Sequence, residues 1–252
     1  MDGHVVIEDY IRILKQNGFG GMLVADHNSY DGYRRWKNSI RGKRHQDFVV
    51  LKGVEYDTID CGHMLVIMPE GVKLRILEMR GLPVYLLVKI VHHYGGILGP
   101  AHPFGERYLS IATTRLRRGK PIRIMRKFDF IEIFNSCEEE RDNAAAASLA
   151  EKYCKPGFGG SDAHRADNIG MGYTKLPDWI RTESELIRYV RSAPQIECGG
   201  TYYKHRTKDK LGKWNNVLVQ MFFLYNKLGG MLKMPGRRQE LKKIFDIKRV
   251  SS

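Results

Sequence analysis

No CxxC pair occurs anywhere in this 252-residue chain, and its four cysteines, Cys61, Cys137, Cys154 and Cys198, stand far apart. That spacing argues against a zinc knuckle and against a disulfide framework, so the thiols read as free and buried. Long apolar runs are missing as well. The longest, Gly81 to Val91, is interrupted by Lys89 and is far too short to cross a bilayer. No basic, apolar and small-residue leader opens the chain, so a cytoplasmic location is expected. A third absence is a glycine-rich phosphate loop after the first strand. Gly18 to Gly21 precedes a strand instead of opening a helix, which counts against an open doubly wound sheet.

Acidic residues are few relative to basic ones: 28 Asp or Glu stand against 42 Lys or Arg, for a net charge of +14. The excess is uneven. Residues 201–252 hold 13 Lys or Arg against three Asp or Glu, a net of +10, whereas the body before them is only mildly basic. We therefore expect a body over residues 1–198 and a distinct basic segment over 199–252, divided near Cys198-Gly199-Gly200. Within that segment, Val217 to Leu232 has the composition of a helix packed on the body, and Pro235-Gly236-Arg237-Arg238 opens a basic end. The plain reading of the charge is a solvated face. The functional reading is an anionic partner, nucleic acid or a membrane surface, with Tyr202-Tyr203-Lys204-His205-Arg206 able to stack on bases.

What is present is an alternation of apolar runs and amphipathic stretches. Val6, Tyr10, Ile13 and Leu14 fall at helical spacing before Asn17-Gly18, and Gly21 to Ala25 reads as a buried strand ending on Asp26-His27-Asn28. Phe48 to Leu51 leads to Gly53-Val54-Glu55, and His63 to Ile67 is a further strand. Leu82 to Tyr94 reads as a helix with Pro83 in its first turn, after which Ile97 to Gly99 runs into Pro100-Ala101-His102-Pro103. Phe128 to Phe134 is a strand before Asn135, Glu138 to Tyr153 a helix, and Gly157 to His164 a weak strand with its loop. Gly172 to Leu176 and a helix over Leu186 to Arg191, opened by the capping box Thr182-Glu-Ser-Glu185, complete the body. This order predicts an α/β fold, with a parallel barrel whose site gathers at the C-terminal strand ends.

Most of those strands end on groups that bind metal. The set is Asp2, Asp26, His27, Glu55, His63, His102, Asp162 and His164. Singly, each has a plain explanation: a loop histidine, a solvent-facing glutamate, or a helix or turn cap for Asp26. Repeated at five strand ends, they point to convergence. Histidine and carboxylate donors without cysteine favour Zn, Mn or Fe, and several carboxylates allow metals to share an oxygen, an arrangement suited to hydrolysing phosphate esters.

Taken in order, Asp2-Gly3, Ala25-Asp26-His27-Asn28, Gly53-Val54-Glu55, Gly62-His63-Met64-Leu65, Ala101-His102-Pro103 and Gly160-Ser161-Asp162-Ala163-His164 resemble successive motifs of the PHP family, named for polymerase and histidinol phosphatase. The resemblance covers roughly residues 1–176. It implies a distorted (β/α)7 barrel with two or three divalent metal ions at its C-terminal strand ends, acting on phosphomonoesters or nucleotide phosphodiesters. Carried over, it makes Glu55 a bridging ligand, assigns His63 and His102 to the second metal and Asp2, His27 and His164 to the third, and gives Asp162 to the first. Asp26 would orient its neighbours, and Arg107 and Asn135 would hold substrate phosphate. The family's opening His-x-His strand has no counterpart ahead of Asp2-Gly3, so a barrel lacking its first strand and two ligands of the first metal is expected. The competing function is a PHP-like binding module with weakened catalysis that holds nucleic acid or an anionic surface through its basic segment.

Overall fold

The computed structural model of the protein describes residues 5–37, 45–105, 110–114, 123–192, 195–204, 221, 224–225 and 228–250. The opening helix α1, Ile7–Gln16, buries Ile7, Ile11 and Leu14, carries Glu8 and Asp9 in its first turn and Lys15 in its last, and is followed by Gly18 at φ 80°. Val6, expected on its apolar face, is instead its exposed N-terminal boundary. Strand β1, Gly21–His27, comes next and pairs in parallel with β2, Val49–Asp57, so that His27 stands opposite Glu55. Between them lies the short helix α2, Asp31–Lys37.

The next connection departs from the expected parallel order. Only residues 58–62 separate β2 from β3, His63–Ile67, and a link that short cannot carry a helical crossover, so the two strands pair antiparallel. Strand β4, Ile97–Pro100, follows helix α3, Val84–His93, and is antiparallel to β3 in turn. The result is a four-stranded sheet in the order β1-β2-β3-β4. Because β3 runs backwards, its first residue, His63, lies at the same end as the last residues of β1, β2 and β4. The reversal thus supplies an imidazole to the end where the other strands finish.

After the short helix α4, Ile111–Thr114, β5, Ile131–Asn135, pairs in parallel with β6, Gly157–Gly160, across helix α5, Glu140–Lys152. Strands β7, Gly172–Thr174, and β8, Cys198–Gly200, form an antiparallel pair around helix α6, Glu183–Ser192. Packing and hydrogen bonds join the pieces. Asp129 N–H donates to the Leu98 carbonyl at 2.9 Å beside β4, and Thr174 Oγ1 both donates to the Gly159 carbonyl and accepts its N–H. Among the described residues the strand ladders form one four-stranded and two two-stranded sheets, with no closed barrel.

One apolar cluster nonetheless spans two of the sheets. Leu23, Leu51, Leu65, Ile67, Ile97, Phe130 and Phe158 belong to a single cluster, with the Phe130 and Phe158 rings stacked at 4.4 Å. Leu186, Ile187 and Val190 of α6 join it. Opposite faces of the same strands pack outward: Met22, Val24 and Val50 lie against α1, and Val54, Tyr56, Met64, Val66 and Leu98 lie in the largest cluster, with α3. Continuing each inward-facing row by steps of two along its strand leads from Leu23 to His27, from Leu51 to Glu55 and Asp57, and from Ile67 back to His63. The polar site therefore caps an apolar core.

The C-terminal helix α7, Met234–Val250, lies on this body: Ile244 is buried in the largest cluster, and the Arg237 guanidinium donates to the Arg80 carbonyl. The described residues before it are helical up to a turn at Lys233, with Leu224, Tyr225, Leu228, Met231 and Leu232 exposed. The division expected at 198/199 falls inside β8.

Candidate metal centre

Glu55 is the hub. Its Oε1 lies 3.0 Å from His63 Nδ1 and 3.2 Å from His102 Nε2, and its Oε2 lies 3.4 Å from His27 Nε2. His63 Nδ1 and His102 Nε2 are themselves 3.4 Å apart. Four donors held by a tetrahedral zinc at ordinary bond lengths sit about 3.3 Å from one another. The spacings of Glu55, His63 and His102 match that figure, so the residues fit a metal ion on their own geometry. The donor atoms of His27, Glu55 and His63 also lie within 4.8 Å of one another. Glu55, His63 and His102 are buried, which restricts water around the donors.

The electrostatics follow from that crowding. Burial works to raise the Glu55 carboxyl, but the adjacent His27 charge and hydrogen bonds from His102 and His63 hold it well below the usual carboxylate range. For His102 burial works downward, and the hydrogen bond and charge of Glu55 outweigh it, raising the imidazole to about 9.

Two further buried carboxylates escaped sequence reasoning. Asp57 Oδ1 is 3.1 Å from His27 Nδ1, and against the upward push of burial this contact and the His63 charge lower its carboxyl. Glu132 Oε2 accepts the His102 backbone N–H at 2.6 Å and an Asn135 Nδ2 hydrogen at 3.3 Å, and burial raises its carboxyl to about 7. The signal for Asp57 was its place two residues beyond Glu55 in one strand, on the same face.

The other expected residues are placed as follows. Asp26 lies one position before His27, on the row that faces α1, and its Oδ2 accepts the Gly32 N–H at 2.8 Å as a cap over α2. Asn135 is 2 % exposed, and its amide is engaged at both ends, by Glu132 and by the Cys137 N–H at 2.9 Å. His164 is exposed, with Nδ1 3.0 Å from the Asp162 carbonyl in its own loop. That loop is pinned by Tyr10, which donates to the Ala163 carbonyl, and by Tyr203, which donates to the Ser161 carbonyl. Tyr203 is consequently buried and unavailable to stack on a base, and Tyr202 leans on Phe134 at 5.5 Å. Asp2, Arg107, His205 and Arg206 lie outside the described residues.

Backbone conformation marks the same places. Four described non-glycine residues have positive φ: Asn28, His102, Cys154 and Asp162. Three of them are at or beside expected ligands, where strain of about 1–3 kcal/mol each is held by the surroundings. The Asn28 N–H donates to the Glu55 carbonyl at 2.9 Å, and the Asn28 Oδ1 accepts the Asp57 N–H at 3.0 Å, so the bend after His27 is fixed to the strand that carries the carboxylates.

Residues 140–193, from α5 through α6, match the PHP-associated family model. No curated protein matches the sequence. Among solved structures, PsfC from Pseudomonas syringae PB-5123 is similar in fold at a TM-score of 0.59, with 18% identity over 86% of this chain and 90% of PsfC. A candidate metal-dependent phosphoesterase from Bifidobacterium adolescentis ATCC 15703 scores 0.48 at 13% identity, over 75% of this chain and 92% of its own. Endonuclease Q, solved with a duplex carrying an abasic lesion, scores 0.47 at 14% identity, and the match takes in 81% of this chain and 60% of the endonuclease. No described helix is long and apolar enough to cross a membrane.

Proposed function

We propose, from the PHP resemblance that the motifs and the match over residues 140–193 carry, that this chain is a metal-dependent phosphoesterase hydrolysing a phosphomonoester or a nucleotide phosphodiester. The observation that supports it most is the placement of three imidazole nitrogens within 3.4 Å of one or other Glu55 oxygen in a largely buried cluster. A divalent ion bound there supplies Lewis acidity toward a phosphoryl oxygen and lowers the pKa of a bound water.

In this reading Glu55 is the shared carboxylate, His63 and His102 complete one metal position, and His27 serves a neighbouring one with Asp2 and His164. Asp162 serves the remaining position. The distorted barrel remains the architecture we infer, with the interior cluster as its core. Asn135 acts on substrate indirectly, by holding Glu132 and through it the His102 backbone, while Arg107 is the candidate phosphate-binding side chain.

The net charge of +10 over residues 201–252 supports a nucleic acid as the phosphodiester or as a partner that holds it. Screening phosphomonoesters, dinucleotides and single-stranded and duplex DNA with added Mn²⁺, Zn²⁺ or Fe²⁺ tests the proposal. Hydrolysis abolished by chelation and restored by metal supports it. No turnover of any phosphate ester by metal-replete protein counts against it.

A further inference from the structure

We infer that Arg80 and Tyr225 form a recognition wall for a nucleoside phosphate beside the metal centre, Arg80 taking the phosphate and Tyr225 the base. This rests on the phosphoesterase reading above and names a substrate class for it. The wall is joined to the centre by a short run of contacts through Asp57. Asp57 Oδ1 is 3.1 Å from His27 Nδ1, its Oδ2 is 3.5 Å from Arg80 Nη2, and the Arg80 guanidinium lies over the Tyr225 ring at 5.2 Å. Asp57 is buried, whereas the side chains of His27 and Arg80 are 27 % and 21 % exposed. Solvent reaches this run at His27 on one side and at Arg80 on the other, and a ligand can follow the same path.

The residue types suit such a ligand. Arginine stays charged and carries five N–H donors in a planar fork that matches phosphate oxygens, more donors than one carboxylate takes up. Tyr225 is 62 % exposed, and a guanidinium over one face of its ring leaves the other face to a planar base. Met221 and Leu228, one helical turn before and after Tyr225, are exposed on the same side and extend the apolar surface. Inorganic phosphate or a sugar phosphate gains nothing from an aromatic and apolar surface next to the cation, whereas a nucleoside does.

The wall is built into the fold. Tyr56 in β2 fixes the backbone on both sides of Arg80, donating to the Met79 carbonyl at 2.5 Å and accepting the Leu82 N–H at 3.0 Å, and the Gly81 N–H donates to the Asp57 carbonyl at 2.8 Å. The C-terminal segment comes close at the same point. A Cβ on Gly229 would stand 3.5 Å from Arg80 Cδ, and one on Gly81, which has φ 98°, would come 3.3 Å from Gly230 Cα. Arg237 of α7 donates to the Arg80 carbonyl. The segment that carries Tyr225 is therefore held against the residue that would bind phosphate, and it furnishes a side of the site that the strand ends do not.

The test uses the full chain with Zn²⁺ supplied and two probes that resist hydrolysis: methylphosphonate, and the phosphonate analogue of AMP, which adds the nucleoside. Calorimetric titration gives both affinities, and elemental analysis gives the metal content. Arg80→Ala should keep its metal and bind both probes roughly 10- to 100-fold more weakly, and Arg80→Lys, which keeps the charge without the fork, should recover part of that loss. Tyr225→Ala should lose roughly 5- to 100-fold for the AMP analogue and little for methylphosphonate, and Tyr225→Phe should bind both as the wild type does. A phosphorothioate-linked single strand of DNA in place of the AMP analogue separates a nucleic-acid strand from a free nucleotide as the source, and the Tyr225→Ala loss with either one supports the inference. Unchanged affinities in a folded Arg80→Ala overturn it, as does a wild type that binds neither probe. Loss of metal together with the probes from that variant would make Arg80 a support for Asp57 and likewise overturn it. Should Arg80→Ala not fold, Tyr225→Ala decides, because equal losses for both probes, or none for either, overturn the assignment. The expected losses in a protein that hydrolyses no phosphate ester would leave the inference standing and remove the phosphoesterase reading.

Discussion

His27 and Glu55 are register partners in the parallel β1–β2 ladder, and their side chains meet 3.4 Å apart at the end of both strands. Strand pairing fixes the register of the two backbones, so this pair of side chains is brought together by the ladder itself. The remaining members reach the same point by different routes: His63 by a reversed strand, His102 by a left-handed backbone step after β4.

That step at His102 depends on Glu132, which accepts its N–H. Glu132→Ala leaves a buried N–H unpaired and costs about 2 kcal/mol, or roughly 4–8 °C in melting temperature for a chain of this size. Glu132→Gln, which keeps an acceptor, falls between the two. Calorimetry on the three proteins checks the order, and equal midpoints for wild type and Glu132→Ala would contradict it.

Thr182 realises the expected capping box in full: its Oγ1 accepts the Glu185 N–H at 3.2 Å, while Glu185 accepts the Thr182 N–H at 3.0 Å. Thr182→Ala should cost about 0.5–2 kcal/mol of stability and leave metal content unchanged, since α6 packs below the site. Denaturant melts and elemental analysis together separate the two effects. Loss of metal from a folded Thr182→Ala would show that α6 and the site are coupled.

This capping box, α1 and the strand ends were legible in the sequence because each is written in local residue types. Glu55, His63 and His102 stood out as imidazoles or carboxylates at the ends of apolar runs, His63 at the opening of its own. Asp57 and Glu132 did not, since an acid within a strand looks the same whether it faces water or a buried imidazole. The antiparallel β3 was missed for a topological reason: strand and ligand patterns carry no direction, and only the brevity of residues 58–62 forbids a crossover. Tyr203 was misjudged because its buried hydrogen bond to Ser161 is made across the fold.

Stability of the metal-free protein should fall as pH rises. His102 is raised to about 9 from an ordinary value near 6.5, so its pairing with Glu55 contributes fully below pH 6.5 and is lost as pH climbs through 9. Metal-loaded protein should not show this loss, because the ion takes the place of the proton. Thermal melts of chelator-treated protein at pH 6 and pH 9 check the sign. A chelated His102→Gln that loses as much stability as wild type over that range would contradict the assignment to this residue.

Nucleic acid binding, where present, should draw on α7. Arg238, Lys242 and Lys243 are exposed on that helix. Replacing all three by Ala should weaken DNA binding and reduce the slope of log affinity against log salt by up to about three. Fluorescence anisotropy over a salt series reads both. An unchanged slope would place the contacts elsewhere.

Metal content is the most direct measure of the central claim that Glu55 organises a metal centre with His27, His63 and His102. Elemental analysis of protein purified with Mn²⁺ or Zn²⁺ and freed of loose ions should find bound metal in the wild type. Glu55→Gln, which keeps the side-chain shape and removes the charge, should lose most of it while remaining folded by circular dichroism. Equal metal in a folded Glu55→Gln, or none in the wild type, would contradict the account.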